Sequence, residues 1–269
     1  DLVDYFRIHA ELGYVELLDP KKMFVKKDLV RDLYSLGIKS GMDLMVHSSL
    51  SALGRVSGGA ETVVDALLQV VGRSGTLVMP SFNHRSAGVF NPLTTPTTNG
   101  AIPDAMWRRK NACRSLHPTH SVTAIGVKAD YYCEEHLEVG IWSPKSPIGK
   151  LVHEGGYILT LGLSHETSTA YHVAEMSVPC TCIDSFGNKD HLVDFNGDVI
   201  KVSGLAFRNG VCPVPISNLQ KSLDRRALQN RGFVGSAKCQ LVLANDLWEV
   251  RREQLKNVCE TCNVKPSIR

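Results

Sequence analysis

Apolar residues recur along the chain at two spacings, which predict alternating helices and strands. Spacings of three and four residues predict helices over residues 25–36, ending at Gly37, and over 61–71. Short, nearly continuous apolar runs predict buried strands over 43–47 and 76–80. Strands that alternate with helices in this way predict an α/β fold with a layered α-β-α core and a mostly parallel central sheet.

The alternation continues through the rest of the chain. Further helices are predicted over 103–109, 128–136, 218–226 and 247–256. Further strands are predicted over 121–127 and 156–163. Asn196-Gly197 lies between short apolar segments and predicts the turn of a β-hairpin. Residues 91–103 are rich in Pro and Thr and predict a long loop that walls or covers a site. We expect residues 1–269 to form a single domain.

Composition and charge exclude several classes of protein. Of the 269 residues, 43% are hydrophobic and 21% are charged, as in an ordinary globular protein. The net charge is only +3, and the arginine pairs at 225–226 and 251–252 predict solvated helix faces rather than a nucleic-acid surface. No apolar run approaches the ~20 residues of a membrane span, and we see no signal-peptide pattern. We therefore expect a cytoplasmic protein without nucleic-acid or membrane partners, with a homodimer as one option for its assembly.

The segment from Gly162 to Glu175 places polar residues just after the apolar run 157–161. Open α/β sheets bind their ligands at such strand ends. The Thr and Ser residues at 167–169 can cap a following helix, which places His172 in its first turns and Glu175 three residues later on the same face. A histidine paired with a carboxylate suits general-base catalysis near neutral pH. On spacing alone, a histidine that only caps or packs is the simpler alternative.

A second segment, residues 44–59, runs from a short apolar strand into a loop of Ser and Gly before the helix over 61–71. The backbone N–H groups of such a loop and of the helix N-terminus attract anions, but the loop has neither the Walker sequence nor the Gly-x-Gly-x-x-Gly fingerprint. The pattern is equally compatible with an ordinary tight connection. The candidate ligand contacts of this loop, among which Arg55 can pair with a phosphate, are Ser48, Ser49, Leu50, Arg55, Gly58 and Gly59.

Both segments belong to an ordered series of short motifs. The series is Val46-His47-Ser48-Ser49-Leu50, Gly75-Thr76-Leu77-Val78-Met79-Pro80, Phe90-Asn91-Pro92, Arg114-Ser115-Leu116-His117-Pro118-Thr119-His120-Ser121, Ser143-Pro144 with Ser146-Pro147, and Leu161-Gly162 through Glu175. In this order the motifs resemble those of the aminoglycoside 3-N-acetyltransferase family of acetyl-coenzyme A dependent antibiotic acetyltransferases. The resemblance covers residues 44–175 and becomes scattered after Glu175.

The resemblance implies a fold of the antibiotic N-acetyltransferase type rather than the GNAT type, and it implies roles for matching residues. His172 is the expected base that deprotonates the acceptor amine, and Glu175 is its expected acidic partner. The Ser48-Ser49 loop, with Ser115 and His117, is expected to line the site of acetyl-coenzyme A, the co-substrate.

The same resemblance implies how the reaction proceeds. The small-molecule amine is expected to attack the acyl-coenzyme A directly, in a ternary complex. A backbone N–H at Ser48, Ser49 or a neighbouring residue is expected to stabilise the developing oxyanion. The coenzyme A motifs lie in 44–175, and residues 176–269 are expected to hold much of the acceptor pocket.

The acceptor pocket departs from the pattern of that family. Members that acetylate aminoglycosides, which are polycations, present acidic residues to them, whereas residues 81–100 contain no Asp or Glu and include His84 and Arg85. Arg208 falls near a later acidic position. Because an unpaired charge in a partly desolvated site is costly, we expect a neutral or anionic amine to be at least as suitable as an aminoglycoside. His84 and Arg208 are the expected acceptor contacts.

Two alternative functions stay open at this point. In a thioesterase, Ser48 or Ser49 is the nucleophile and His172 its base, although the chain has no Gly-x-Ser-x-Gly motif. In a non-catalytic module, the chain binds coenzyme A or is stapled by a metal without turnover. Cys259 and Cys262 form a C-x-x-C pair, for which a structural zinc is one interpretation and reduced thiols are the other. No catalytic metal is expected.

Overall fold

A computed structural model of the chain describes residues 22–83, 88–178, 183–186, 190–202, 205–208, 212 and 214–262, and only the backbone at 183–186 and 205–208. Its strands are β1 (Met23–Phe24), β2 (Asp43–Ser48), β3 (Arg55–Val56), β4 (Thr76–Pro80), β5 (Val89–Phe90), β6 (Cys113–Arg114), β7 (Val122–Gly126), β8 (Tyr157–Leu161), β9 (Ile183–Phe186), β10 (His191–Phe195), β11 (Asp198–Val202), β12 (Leu205–Arg208), β13 (Gln229–Val234) and β14 (Ala237–Leu243).

Helices lie between these strands. They are α1 (Lys26–Leu36), α2 (Gly59–Val71), α3 (Ala101–Trp107), α4 (Ala129–Cys133), α5 (His136–Val139), α6 (Pro147–His153), α7 (Tyr171–Met176), α8 (Ile216–Arg225) and α9 (Ala244–Thr261), with 3₁₀ turns at Ser51–Leu53 and His165–Thr167. Within the described residues, no helix is both long and apolar enough to cross a membrane.

The central sheet is mixed, so the prediction of a mostly parallel sheet is wrong. In the described part of the chain its strand order is β13-β14-β8-β2-β4-β7-β6. Strand β2 is parallel to both of its neighbours, β8 on one side and β4 on the other, and the other neighbouring pairs are antiparallel. The hairpin β13–β14 adds its second strand antiparallel to β8, and β7 runs back against β4. Hydrophobic periodicity predicts a strand but carries no information on its direction.

Helices cover both faces of this sheet, as the predicted α-β-α layering requires. Alternate residues of each strand point to opposite faces, so Val46 packs into a core with α1, α2 and α3, while Met45 packs into a second core with α4, α6, α7, α8 and α9. Burying both faces explains why the central strands read as continuous apolar runs rather than as alternating patterns.

Most predicted elements are confirmed within a few residues. The helix before Gly37 ends there because this glycine adopts a left-handed φ of 107°. Asn196 and Gly197 also have positive φ, 55° and 93°, and connect β10 to β11 as the predicted hairpin. The helix predicted over 128–136 is broken into α4 and α5, because Glu135 has a φ of 54° that interrupts helical geometry.

Candidate active site

Two loops begin side by side at the carboxyl ends of β2 and β8, which are neighbouring strands inside the central sheet. Strands β2 and β8 are parallel, and Ser48 is in register with Leu161. The backbone N–H of Ser49 donates to the Leu161 carbonyl at 2.9 Å. Gly162 has a φ of 73°, and a Cβ added to it would lie 2.4 Å from the Cβ of Ala52. The loop after β2 and the segment that leads to His172 therefore start in direct contact.

His172 and Glu175 form a hydrogen-bonded pair at the start of α7. The His172 Nδ1 lies 2.7 Å from Glu175 Oε2, and the two side chains are 16% and 2% exposed. A carboxylate only accepts hydrogen bonds, so Nδ1 carries the proton in this pair. The neutral ring then has its lone pair at Nε2, which is the tautomer that a general base requires.

Arg251 completes the pair from a distant part of the sequence. Its Nη2 donates to Glu175 Oε1 at 3.0 Å, and its side chain is 0% exposed. The same guanidinium donates to the Val214 carbonyl at 3.2 Å and lies 3.5 Å from Cys212 Sγ. The prediction that Arg251 lies on a solvated helix face is therefore wrong. α9 packs against α7, and this places the residue next to Glu175.

Aromatic rings fix the plane of the His172 imidazole. Its centroid lies 4.8 Å from that of Trp142 and 4.2 Å from that of Tyr171. On its other side, Trp142 contacts His120 at 5.2 Å, and His120 contacts His117 at 5.8 Å. A continuous layer of buried rings therefore lies against the His172 ring. The sequence reasoning missed Trp142, although it stands one residue before the Ser143-Pro144 motif.

The Ser and Gly loop after β2 turns sharply before α2. Gly58 and Gly59 have φ of 79° and 59°, values that suit glycine. A Cβ at Gly59 would meet no atom within 4 Å, so the N-terminus of α2 is open at this point. Arg55 is exposed, and Ser48 Oγ is buried without a hydrogen-bond partner in the described residues. Leu50 is partly buried and packs on the core beneath α2.

Ser115 and His117 lie deeper than the loop. Both are buried, at 1% and 0% exposure. The N–H of Val122 donates to Ser115 Oγ at 2.8 Å, and the same oxygen lies 2.8 Å from His136 Nδ1. Burial lowers the pKa of His136, so this imidazole is neutral and its Nδ1 accepts a hydrogen bond from the Ser115 hydroxyl. The hydroxyl of Ser115 therefore makes its hydrogen bonds to other residues of the protein.

Of the remaining predicted residues, some lie outside the described residues and one is buried in the core. His84 and Arg85 lie outside the described residues, as does the side chain of Arg208, whose backbone is opposite Ile183 in the β9–β12 pair. His47 is buried, and burial with the nearby His165 lowers its pKa to about 3, which fits a packing role.

Arg114 fixes the long loop over 91–103, a role that the sequence reasoning did not assign. Its guanidinium donates to the carbonyl oxygens of Ser81 and Thr95 and stacks 5.0 Å above the Trp107 ring. Burial lowers the pKa of Arg114 to about 10, which still leaves it charged at neutral pH. The amide of Asn91 also donates to Asp194 at 2.9 Å, so the loop is attached to the β10–β11 hairpin.

The structure gives no support for a zinc site at Cys259 and Cys262. In the described ranges, no group of three or more His, Cys, Asp or Glu side chains is arranged to hold a metal ion. Cys259 is buried on α9 and Cys262 directly follows that helix. A complete zinc site needs two further ligands. Among the candidates, Cys212 and His191 belong to no such group in the described residues, and Cys180 and Cys182 lie outside them.

Comparisons with known proteins show the family of the chain. The family model for aminoglycoside 3-N-acetyltransferase matches residues 45–256. Aminoglycoside N(3)-acetyltransferase IV from Salmonella sp is 31% identical over 225 residues, which cover 82% of this chain and 84% of that protein.

Solved structures match over most of the chain as well. The crystal structure of aminoglycoside acetyltransferase AAC(3)-Xa is 27% identical, with a TM-score of 0.80 over 93% of this chain and 99% of that one. A mutant of aminoglycoside acetyltransferase AAC(3)-IVa in complex with a gentamicin is 28% identical, with a TM-score of 0.79 over 87% of this chain and 89% of that one. The chain belongs to the aminoglycoside 3-N-acetyltransferase family, a family of acyltransferases.

Proposed function

We propose that this protein transfers the acetyl group of acetyl-coenzyme A to the amine of a small acceptor, with His172 as general base. The observation that carries the proposal is the 2.7 Å contact between His172 Nδ1 and the buried carboxylate of Glu175. An ammonium group is not nucleophilic, so transfer requires a group that removes its proton. A positioned base contributes about 10²–10⁴-fold to such a step.

The loop over 48–59 suits the anionic part of acetyl-coenzyme A. Its glycines have left-handed backbone, α2 begins at its end, and Arg55 is exposed beside it. First-turn N–H groups of a helix bind phosphate oxygens well, and the buried Ser48 hydroxyl is a further donor. When bound, acetyl-coenzyme A supplies an activated thioester. We propose that Ser115 and His117 shape the wall behind this site rather than donate to the ligand.

His172 Nε2 accepts the proton of the acceptor ammonium, and the free amine then attacks the thioester carbonyl. The C–S bond breaks as the intermediate collapses, the departing coenzyme A sulfur takes the proton of the imidazolium, and the new amide nitrogen releases its second proton to water. Glu175 stabilises the imidazolium that forms. The N–H of Ser49 is already bonded to Leu161, so it is not an oxyanion donor. The first N–H groups of the 3₁₀ turn Ser51–Leu53 have no partner inside that turn, and we assign the oxyanion contact to them.

The two alternative functions have weaker support. A thioesterase requires a serine hydroxyl hydrogen-bonded to the base, and in the described residues Ser49 Oγ instead lies 3.1 Å from Ser51 Oγ. A module without turnover has no use for a buried carboxylate that orients a histidine. The His172–Glu175 pair therefore favours the transferase.

The acceptor class is tested by thiol release from acetyl-coenzyme A. The panel consists of gentamicin, ethanolamine, glycine and aminomethylphosphonate, with mass spectrometry of each product. Release that depends on one of these amines and yields its N-acetyl product supports the proposal. Release at the same rate without any amine would show hydrolysis instead, and a burst of one equivalent would indicate an acyl-serine.

A further inference from the structure

We propose that Arg251 is a positioning residue, which holds the Glu175 carboxylate in the plane that directs Oε2 to His172. This inference rests on the proposed function, because it assigns Arg251 to the same base. The two carboxylate oxygens have separate partners, Arg251 at 3.0 Å and His172 at 2.7 Å. Rotation of the carboxylate about its terminal bond would break both contacts. The hydrogen bond from Arg251 to Oε1 therefore also keeps Oε2 directed to His172.

The surroundings of the guanidinium show that Arg251 is itself held rigidly. Its Nη1 and Nη2 both donate to the Val214 carbonyl at 3.2 Å, and its Cζ lies 5.8 Å from the Tyr171 ring. The residue stands in the middle of α9, an 18-residue helix. A side chain fixed by its own helix, by a backbone oxygen and by an aromatic ring loses little further entropy when it fixes a carboxylate.

The charge of the buried Glu175 carboxylate supports the same role for Arg251. Glu175 is 2% exposed, and a buried carboxylate is costly unless an opposite charge and hydrogen bonds compensate it. Neutral His172 cannot supply that charge, so Arg251 compensates Glu175 while the base is unprotonated. The carboxylate therefore stays in place before the amine arrives, and the ring is oriented in the resting enzyme.

The deciding experiment observes the ring directly and needs no acceptor. In protein with ¹⁵N-labelled histidine rings, the Nδ1–H proton of His172 is identified by its absence in His172→Gln. We expect this signal in the wild type and in Arg251→Lys, and its loss through exchange with water in Arg251→Met. The matched control is Arg252→Met, since Arg252 is the next residue of α9 and is exposed. A folded Arg251→Met protein with the wild-type signal would overturn the inference.

Kinetics with the fastest amine of the panel supply a second readout. Arg251→Met should lower kcat by about tenfold or more with the KM for acetyl-coenzyme A changed less than about threefold, and Arg251→Lys should recover much of that loss. In a Glu175→Gln background, Arg251→Met should cost less than about threefold, because the carboxylate it positions is gone. A further tenfold loss in that background would show that Arg251 acts independently of Glu175.

The double variant also keeps the test decisive if Arg251→Met alone does not fold. Replacing both members of a buried ion pair is tolerated better than leaving one charge unpaired. Failure of the two proposals is distinguishable. A His172→Gln enzyme with wild-type turnover would remove His172 as base. An inactive His172→Gln enzyme, together with a wild-type Nδ1–H signal of His172 in Arg251→Met, would remove only the role of Arg251.

Discussion

At the scale of single residues, the proposed catalytic pair depends on the separate partners of the two oxygens of one carboxylate. Glu175 binds His172 with one oxygen and Arg251 with the other, and it is almost completely buried. The contact to His172 was predictable, because residues three apart in a helix share a face. The contact to Arg251 was not, because the two residues are 76 positions apart and Arg251 is followed by another arginine, as on a solvated surface.

Glu175→Gln tests what the carboxylate contributes. A glutamine can still accept a hydrogen bond from the ring, but it no longer stabilises the imidazolium, so kcat should fall by about ten- to a hundredfold, less than in His172→Gln. Thiol-release assays from pH 6 to 9 provide the measurement. Glu166→Gln, at an exposed position of the 3₁₀ turn before α7, is the control and should change little. Wild-type turnover at every pH would contradict the role of Glu175.

His47 should make the protein less stable in acid. Its pKa is lowered from 6.5 to about 3 by burial, so the unfolded state binds a proton that the folded state cannot. The stability contribution is complete above pH 6.5 and is lost as the pH falls towards 3, by up to about 1.4 kcal/mol per pH unit. Urea unfolding of wild type and His47→Leu at pH 7, 6 and 5 measures this loss. Equal slopes against pH in the two proteins would show that His47 does not contribute.

At the scale of secondary structure, the site depends on two strand ends that meet. The bounds of β2 and β4 followed closely from their apolar runs, since central strands are buried on both faces. The hairpin β13–β14 was not predicted from the sequence, because apolar and polar residues alternate only weakly in β13 and much of this strand is partly or fully exposed. Its second strand nevertheless borders β8 and places Gln240 against Thr160 at 2.9 Å.

Gly162→Ala tests the close approach of the two loops. The new Cβ would lie 2.4 Å from that of Ala52, and a left-handed φ of 73° adds further strain. The matched control is Gly155→Ala, which has a φ of 75° but no atom within 4 Å of the new Cβ. We expect about 1 kcal/mol of destabilisation for Gly155→Ala and about 2–4 kcal/mol for Gly162→Ala in urea unfolding.

Gly162→Ala and Gly155→Ala should also differ in their affinity for acetyl-coenzyme A. Calorimetry with acetyl-coenzyme A should show weakened binding to Gly162→Ala, because the loop over 48–59 must move away from the new methyl group, and unchanged binding to Gly155→Ala. If the two variants were equally stable and bound equally well, the loop contact at Gly162 would not shape the site.

At the scale of the whole molecule, family membership and layered architecture were accessible from the ordered motifs over 44–175. The acceptor was not, because its identity depends on how the side chains of the pocket pack, which a sequence does not show. Its expected contacts, His84 and the Arg208 side chain, lie outside the described residues. Acids on the β10–β11 hairpin are partly engaged elsewhere, with Asp190 2.5 Å from Lys201 and Asp194 2.9 Å from Asn91. The Lys201 ammonium offsets the charge of Asp190, so this carboxylate offers less net charge to a polycation.

Gentamicin should therefore be a poor acceptor compared with an amine of low positive charge. We expect its kcat/KM to be at least about tenfold below that of aminomethylphosphonate or ethanolamine, and added salt should reduce this difference by screening repulsion from Arg85 and Arg208. Arg208→Glu should improve gentamicin as an acceptor and impair aminomethylphosphonate. A low-micromolar KM for gentamicin in the wild type would contradict this prediction and identify an aminoglycoside as the acceptor.

One measurement tests the central claim most directly: single-turnover acetyl transfer by His172→Gln, with acetyl-coenzyme A binding measured on the same protein by calorimetry. If His172 is the general base, the transfer rate should fall by about a hundredfold or more, while the Kd for acetyl-coenzyme A stays within about threefold of the wild type. A His172→Gln protein that binds acetyl-coenzyme A normally and transfers the acetyl group at the wild-type rate would contradict the account.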